Sequence, residues 1–406
     1  MSSPDAKKFH KLYGRPQKRI SYQDKDFLDY LLMTGFCALV LWFGYGANHV
    51  LAVLGLALCG YMAIMFPIRH GVRLQVPLIL RVPQNVLFLA VHKIQNIKAP
   101  YLIALALMVA QHVLIQYTPT WPHQVDWMRT LAIGLFWAHL LYITGFRTAV
   151  MIAHLRDRDH VRAVLSESVW KWRAQTPAMI SREIVFAYAT GLLSHLVFLI
   201  PWFLVITHVD HSLVLTPLTL ILAFVIFNAY SKTLPGWFYR DHWLAHNSEL
   251  DFVYLHGTHH DAIPGAMIAV AGNGHLEGLV RTSIGHPTAF LNPIATALFF
   301  TFEVKLDMHS HQYIPGIYPK PSKEDALLGH HALHHYGRLQ PYGLGIDIDQ
   351  ATSDEYKKKL RRLPDEYKYS IRLEQQLTDY EWDNAKYRWY LDLMDRYHDG
   401  PKAREP

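Results

Sequence analysis

The chain has 406 residues, 51% of them hydrophobic, and 39 Lys and Arg against 33 Asp and Glu give a formal net charge of +6. Its mean hydropathy of +0.06 averages a strongly apolar first half with a charged last third, which excludes a string of ordinary soluble domains. The two cysteines, Cys37 and Cys59, both lie in apolar runs, so neither a disulfide framework nor a cysteine metal site is available.

In chain order, residues 1–26 form a basic N-terminus with Lys7, Lys8, Lys11, Arg15, Lys18, Arg19 and Lys25, too polar for a cleavable signal peptide. Six apolar runs follow: Phe27–Tyr45, His49–Phe66, Tyr101–Tyr117, Met128–Ala153, Ile184–Thr207 and Leu213–Tyr230. Each has the length that a helix needs to cross a bilayer. Residues 27–153 thus hold spans one to four, and residues 183–230 hold spans five and six. Between them, 68–98 reads as an amphipathic segment at the membrane surface and 154–182 as a cytoplasmic connector, with Trp170 and Trp172 at the interface. Residues 231–350 form a histidine-rich domain, within which Pro287–Phe302 is apolar but interrupted by Pro293, the pattern of a re-entrant or interfacial helix. Residues 351–406 read as a charged helical tail that packs on that domain.

Basic residues crowd the segments before span one, between spans two and three, and between spans four and five, whereas the connections at 46–48, 118–127 and 208–212 contain no Lys or Arg. This alternation predicts an all-α integral membrane protein of about six transmembrane helices, with both termini and a helical metal domain on the cytoplasmic side of a bacterial inner membrane or the endoplasmic reticulum. Membrane lipid accounts for the positive charge, and no nucleic acid is implied. The basic surfaces at 67–98 and 154–182 suit either lipid headgroups or an acidic protein partner.

Thirteen of the 26 histidines fall between His242 and His335. His242 and His246 form an HxxxH, His256, His259 and His260 an HxxHH, and His331, His334 and His335 repeat that spacing. Residues three and four apart share a helix face, so each group aims two or three imidazoles at one point. Neutral imidazole ligates iron, zinc and copper, and eight such side chains exceed the needs of one ion. His275 and His309 are further ligand candidates, while His286, His311 and His330 are equally suited to supporting or incidental roles. Asp241, Glu277 and Asp307 lie beside ligand candidates and would orient imidazoles and balance charge. The histidines inside the spans, His112, His139 and His195, stand isolated in the sequence.

In order and spacing, these groups resemble the fatty acid hydroxylase/sterol desaturase superfamily. His275-Leu-Glu277 is similar to its His-Pro-x-Glu segment, with Leu276 in place of proline and one residue fewer. Asp307-Met-His309-Ser-His311 is similar to its Asp-x-His-Ser segment. His334-His-Tyr336 with Tyr342-Gly343 is similar to its closing motif, with Pro341 where asparagine is usual. The resemblance covers roughly residues 180–345 and leaves the first four spans and the tail unexplained. It implies two iron ions held by histidines, dioxygen as co-substrate, and hydroxylation or desaturation of a lipid, fatty acyl, sphingoid or sterol-like. No heme domain and no flavin or nicotinamide motif is present, so electrons would come from a separate carrier protein and its reductase.

Two other classes compete. A membrane zinc hydrolase needs about three ligands and a base, commonly as HExxH, which this chain lacks. A non-catalytic metal- or heme-binding membrane protein would place facing histidines within its spans.

Overall fold

A computed structural model of the chain describes residues 26–81, single positions between 83 and 100, and 101–117, 125–168, 175–209, 217–261, 276–280, 291–311, 314–317 and 395–397. A few side chains inside these ranges, His246 and His309 among them, lie outside the description. Every regular element among the described residues is helical.

The chain enters through a helical hairpin, α1 (Phe27–Gly44) and α2 (His49–His70). Asp26 caps α1 by accepting from the Leu28 amide at 2.8 Å, and Asn48 caps α2 by accepting from Leu51 at 3.2 Å. These side chains satisfy amide donors that a helix start leaves open, so the four residues Tyr45 to Asn48 suffice for the reversal. Small residues let the helices close up: a Cβ on Gly55 would meet the Leu41 side chain at 3.0 Å, and one on Gly44 would meet Ile200 at 2.7 Å.

A one-turn helix, α3 (Leu78–Arg81), follows an extended stretch, and then come α4 (Ala99–Tyr117), α5 (Val125–Arg156) and α6 (Arg158–Ser168). The longest helices are α5 and α7 (Pro177–His208), at 32 residues each. Thr176 accepts from Met179 at 3.3 Å and Pro177 occupies the first turn, so α7 begins well before the apolar run that marks it in the sequence. It is the axis of the bundle, packed against α1, α2, α5 and α6. Of its apolar window 89% is buried, against 33–39% for α1, α2 and α5. A helix apolar on all sides belongs inside. The outer helices turn Phe36, Phe43, Ile64 and Leu141 outward, an apolar girdle that suits hydrocarbon contact.

Among the described residues, four helices are long and apolar enough to cross a membrane: Phe27–Gly44, His49–His70, Trp127–Arg156 and Pro177–His208. The other two expected spans correspond to shorter apolar stretches, Leu102–Tyr117 and Pro217–Lys232. The latter opens α8 (Pro217–Asn247), which packs on α4.

Pro293 does not interrupt a helix; it begins one, α11 (Pro293–Ser310), so the boundary expected within Pro287–Phe302 is a start. Asn292 accepts from the amides of Ile294 at 2.9 Å and Ala295 at 3.0 Å, and proline at the first helical position sacrifices no intrahelical bond. α11 packs against α5, α7 and α8. Of the C-terminal tail, residues 395–397 are described, and Tyr397 meets His160 of α6 at 5.5 Å between ring centroids.

Candidate metal centre

α8 runs past Pro235 to Asn247 and carries His242 at its far end. Ser248 then caps the next turn, its hydroxyl accepting from the Asp251 amide at 3.2 Å. The short α9 (Glu249–Asp251) leads through a π-helical turn, Phe252–His256, into α10 (Gly257–Asp261). Widened turns of this kind insert one residue into the helical register and are frequent at functional sites. Here the π turn packs on α8 and brings His256 back to the histidine on that helix.

His242, His256 and His260 offer ring nitrogens that all lie within 4.8 Å of one another, and among the described residues this is the group able to hold a metal ion. His256 Nε2 and His260 Nε2 are 2.9 Å apart. Two adjacent ligands about 2.1 Å from one ion stand roughly 3 Å apart at a right angle, so this pair has a spacing that an ion can bridge. The same spacing also suits an N–H···N hydrogen bond. The donor set fits a borderline or hard-to-soft transition metal that accepts neutral nitrogen.

Behind the cluster, His256 Nδ1 donates to Glu277 Oε1 at 2.9 Å. That bond leaves Nε2 of the neutral ring as a lone pair directed at the cluster. Glu277 reaches His256 because its turn lies tight on α7: a Cβ on Gly278 would stand 3.1 Å from Phe198 Cβ and 3.2 Å from the Ser194 carbonyl oxygen. His259 stands between the cluster and His311, its ring 5.0 Å from that of His260, 5.3 Å from that of His256 and 5.1 Å from that of His311. His311 Nδ1 donates to the Asp307 carbonyl at 2.6 Å, and Asp307 Oδ1 is 3.6 Å from the same nitrogen.

The structure therefore brings together His242, His256 and His260, with Glu277 behind His256 and with His259, His311 and Asp307 alongside. Asp241 is directed elsewhere. Its Oδ1 lies 2.6 Å from Lys93 Nζ, which also meets Asp251 Oδ2 at 2.9 Å. The carboxylate expected beside His242 thus balances a lysine, because Asp241 and its neighbouring imidazole point to different sides of the helix. Of the other ligand candidates, His275, His331, His334 and His335 lie outside the described residues, as do the side chains of His246 and His309.

Lys93 narrows the expected basic surface at 67–98, of which Arg73 and Arg81 are exposed. Burial works against its ammonium, but Asp241 and Asp251 hold it charged well above the ordinary lysine range. Burial in turn pushes the Asp251 carboxyl up to about 6 against the pull of Lys93. Arg69, from the same segment, is equally occupied. It pairs with Glu183 at 2.5 Å and Asp261 at 2.5 Å, and lies 3.7 Å from the Phe186 ring centroid. Asp261 follows His260 directly. Burial would raise its carboxyl, yet Arg69 and His70 hold it down at about 2. Tyr254, in the π turn, donates to Asp29 of α1, which also accepts from the Leu78 amide at 2.7 Å. None of these partners is visible from motif spacing. The acidic residues at 241, 251 and 261 that bracket the histidines were the available signal.

Over 224 residues the chain is 25% identical to the very-long-chain aldehyde decarbonylase GL1-9 of Oryza sativa subsp. indica, a match that covers 52% of this chain and 81% of that protein. The protein of the same name from subsp. japonica matches to the same extent. No family model matches, and no solved structure matches. With the order of the histidine groups, this similarity supports the resemblance to the fatty acid hydroxylase/sterol desaturase superfamily.

Proposed function

We propose that the chain is a multi-pass membrane enzyme that oxidises a lipid at a histidine-held di-iron centre. The observation that carries this reading is the convergence of His242, His256 and His260 beside a bundle of apolar helices. His242, His256 and His260 hold one ion, and His246, His259, His275, His309, His331, His334 and His335 complete a two-ion site. The chain crosses the membrane six times and places the histidine domain and both termini in the cytoplasm, as the basic segments require.

When bound, iron would supply dioxygen activation, so that with two electrons and two protons a C–H bond becomes C–OH and the second oxygen leaves as water. The protein's own part is orientation and exclusion. Glu277 fixes the His256 ring through Nδ1, and the ion pairs of Lys93 and Arg69 hold the two ends of the π-turn segment. Asp241, Asp251 and Asp261 are paired with Lys93 and Arg69, which leaves Glu277 as the carboxylate that orients an imidazole of the cluster. Long-chain lipids enter sideways from the bilayer, and the name of the rice relative adds fatty aldehydes to the substrate classes worth testing. An electron carrier and its reductase act in trans.

The test is iron analysis of the purified full-length protein, followed by product analysis with fatty acyl, sphingoid, sterol and long-chain aldehyde substrates under dioxygen and a reductant. Two irons per chain and an oxidised or shortened lipid product support the reading. One zinc per chain with hydrolytic products replaces it with a hydrolase.

A further inference from the structure

A second group of buried polar side chains lies inside the bundle, apart from the metal centre. His139 of α5 and His195 of α7 face each other with ring centroids 5.1 Å apart, so these intraspan histidines are not isolated as their sequence positions imply. Sequence separation conceals the contact because it arises from the packing of α5 on α7. His139 Nδ1 donates to the Thr301 hydroxyl at 2.8 Å, and that hydroxyl donates onward to the Ala297 carbonyl at 2.7 Å. Arg147 is fully buried on the same helix as His139. It interacts electrostatically with both imidazoles, and Asp307 reaches it only through longer-range attraction.

The hydrogen bonds of Arg147 are incomplete. Nη1 donates to the Gly191 carbonyl at 3.0 Å, whereas Nε and Nη2 are buried with no hydrogen-bond partner. Both ring nitrogens of His195 are in the same condition. A guanidinium in a low-dielectric interior is strongly unfavourable unless an anion or acceptors meet its N–H groups. Phe198, Trp202 and Phe300 surround the histidine pair: His139 lies 5.6 Å from Trp202, and Phe198 lies 4.7 Å from Phe300.

We propose that Arg147 and His195 form a binding site, within the helix bundle, for the carboxylate of a single-chain fatty acid. The guanidinium fork matches a planar carboxylate in two parallel hydrogen bonds. His195, in either neutral tautomer, adds one N–H. One buried cation balances one monoanion, which disfavours a dianionic phosphate ester. The aromatic side chains give the adjoining hydrocarbon an apolar wall. The site does not depend on the metal reading, because its occupancy is measured as binding without turnover.

The experiment uses the full-length protein in detergent micelles, with and without chelator treatment, and compares hexadecanoate, methyl hexadecanoate and hexadecyl phosphate by native mass spectrometry and competition binding. A charge-assisted pair predicts that hexadecanoate binds about tenfold tighter than the ester or the phosphate, with or without metal. Arg147→Gln should abolish that preference, and Arg147→Lys should retain part of it, since the charge remains and the fork is lost. Equal binding of acid and ester overturns the proposal, as does a preference that survives Arg147→Gln or vanishes on chelation. Should Arg147→Gln fail to accumulate, Arg147→Lys and His195→Phe decide, and an undiminished preference in both overturns it.

Discussion

His256 donates from Nδ1 to Glu277 Oε1 across 2.9 Å and 21 residues of chain, joining the π turn to the short segment packed on α7. A carboxylate in that position raises the basicity of the opposite nitrogen and fixes the plane of the ring. Glu277→Gln, which preserves shape and removes charge, is expected to lower metal affinity roughly 10–100-fold. Metal titration of the purified variant checks it. An unchanged affinity would show that the His256 ring is held by packing alone.

Loss of a ring from the cluster acts differently. His242→Ala, His256→Ala and His260→Ala should each abolish activity and strip bound metal while the protein still inserts in the membrane, since insertion depends on the apolar helices. Fractionation and metal content, read on the same preparations, test this. His311→Ala should retain part of the metal, because its ring faces His259.

Gly278 sits where a side chain has no room. A valine there must displace the Ser194 carbonyl or Phe198, which stand 3.2 Å and 3.1 Å from the new Cβ position. Overpacking of this kind costs about 1–3 kcal/mol. The expected signature is a lower melting temperature accompanied by weaker metal binding, since Glu277 is the adjacent residue. A stability loss with unaltered metal binding would separate the turn from the site.

Removing Lys93 strands two carboxylates. Lys93→Met leaves Asp241 and Asp251 facing each other without their cation, and breaking a buried pair in this way costs about 3–5 kcal/mol. Adding Asp241→Asn and Asp251→Asn to the same protein should restore most of the loss. Thermal unfolding of the single and triple variants measures the coupling, and additive losses would contradict it.

The six-span arrangement is checked by accessibility. Tags at positions 20, 85, 165 and 380 should report the cytoplasmic side, and tags at 47, 122 and 210 the opposite side. A tag at 380 found outside would move the histidine domain across the membrane.

Some of this architecture was plain in the residues and some was not. The α1–α2 hairpin followed from two apolar runs separated only by Gly46, Ala47 and Asn48, and the i, i+4 pairing of His256 with His260 followed from helical periodicity. Periodicity did not separate His259 from its neighbours, because the π turn and the position of His311 are set by tertiary packing. Composition placed Arg69 and Lys93 in a basic segment facing lipid or a partner, whereas each is neutralised by acids more than a hundred residues away in sequence. Long-range charge pairing carries no local pattern. Pro293 was misleading for a simpler reason: proline marks helix starts as well as breaks, and only the capping Asn292 distinguishes them.

Arg69 binds the end of α2, the start of α7 and the residue that follows His260 into one junction. All of its partners are supplied by the polypeptide, so this junction can form as soon as the helices are inserted and before any metal arrives. On the proposed function, the bundle would assemble first with the π-turn segment already tethered and the metal would enter a preformed cradle, so metal-starved cells are expected to accumulate a folded apoprotein that needs only metal to become active.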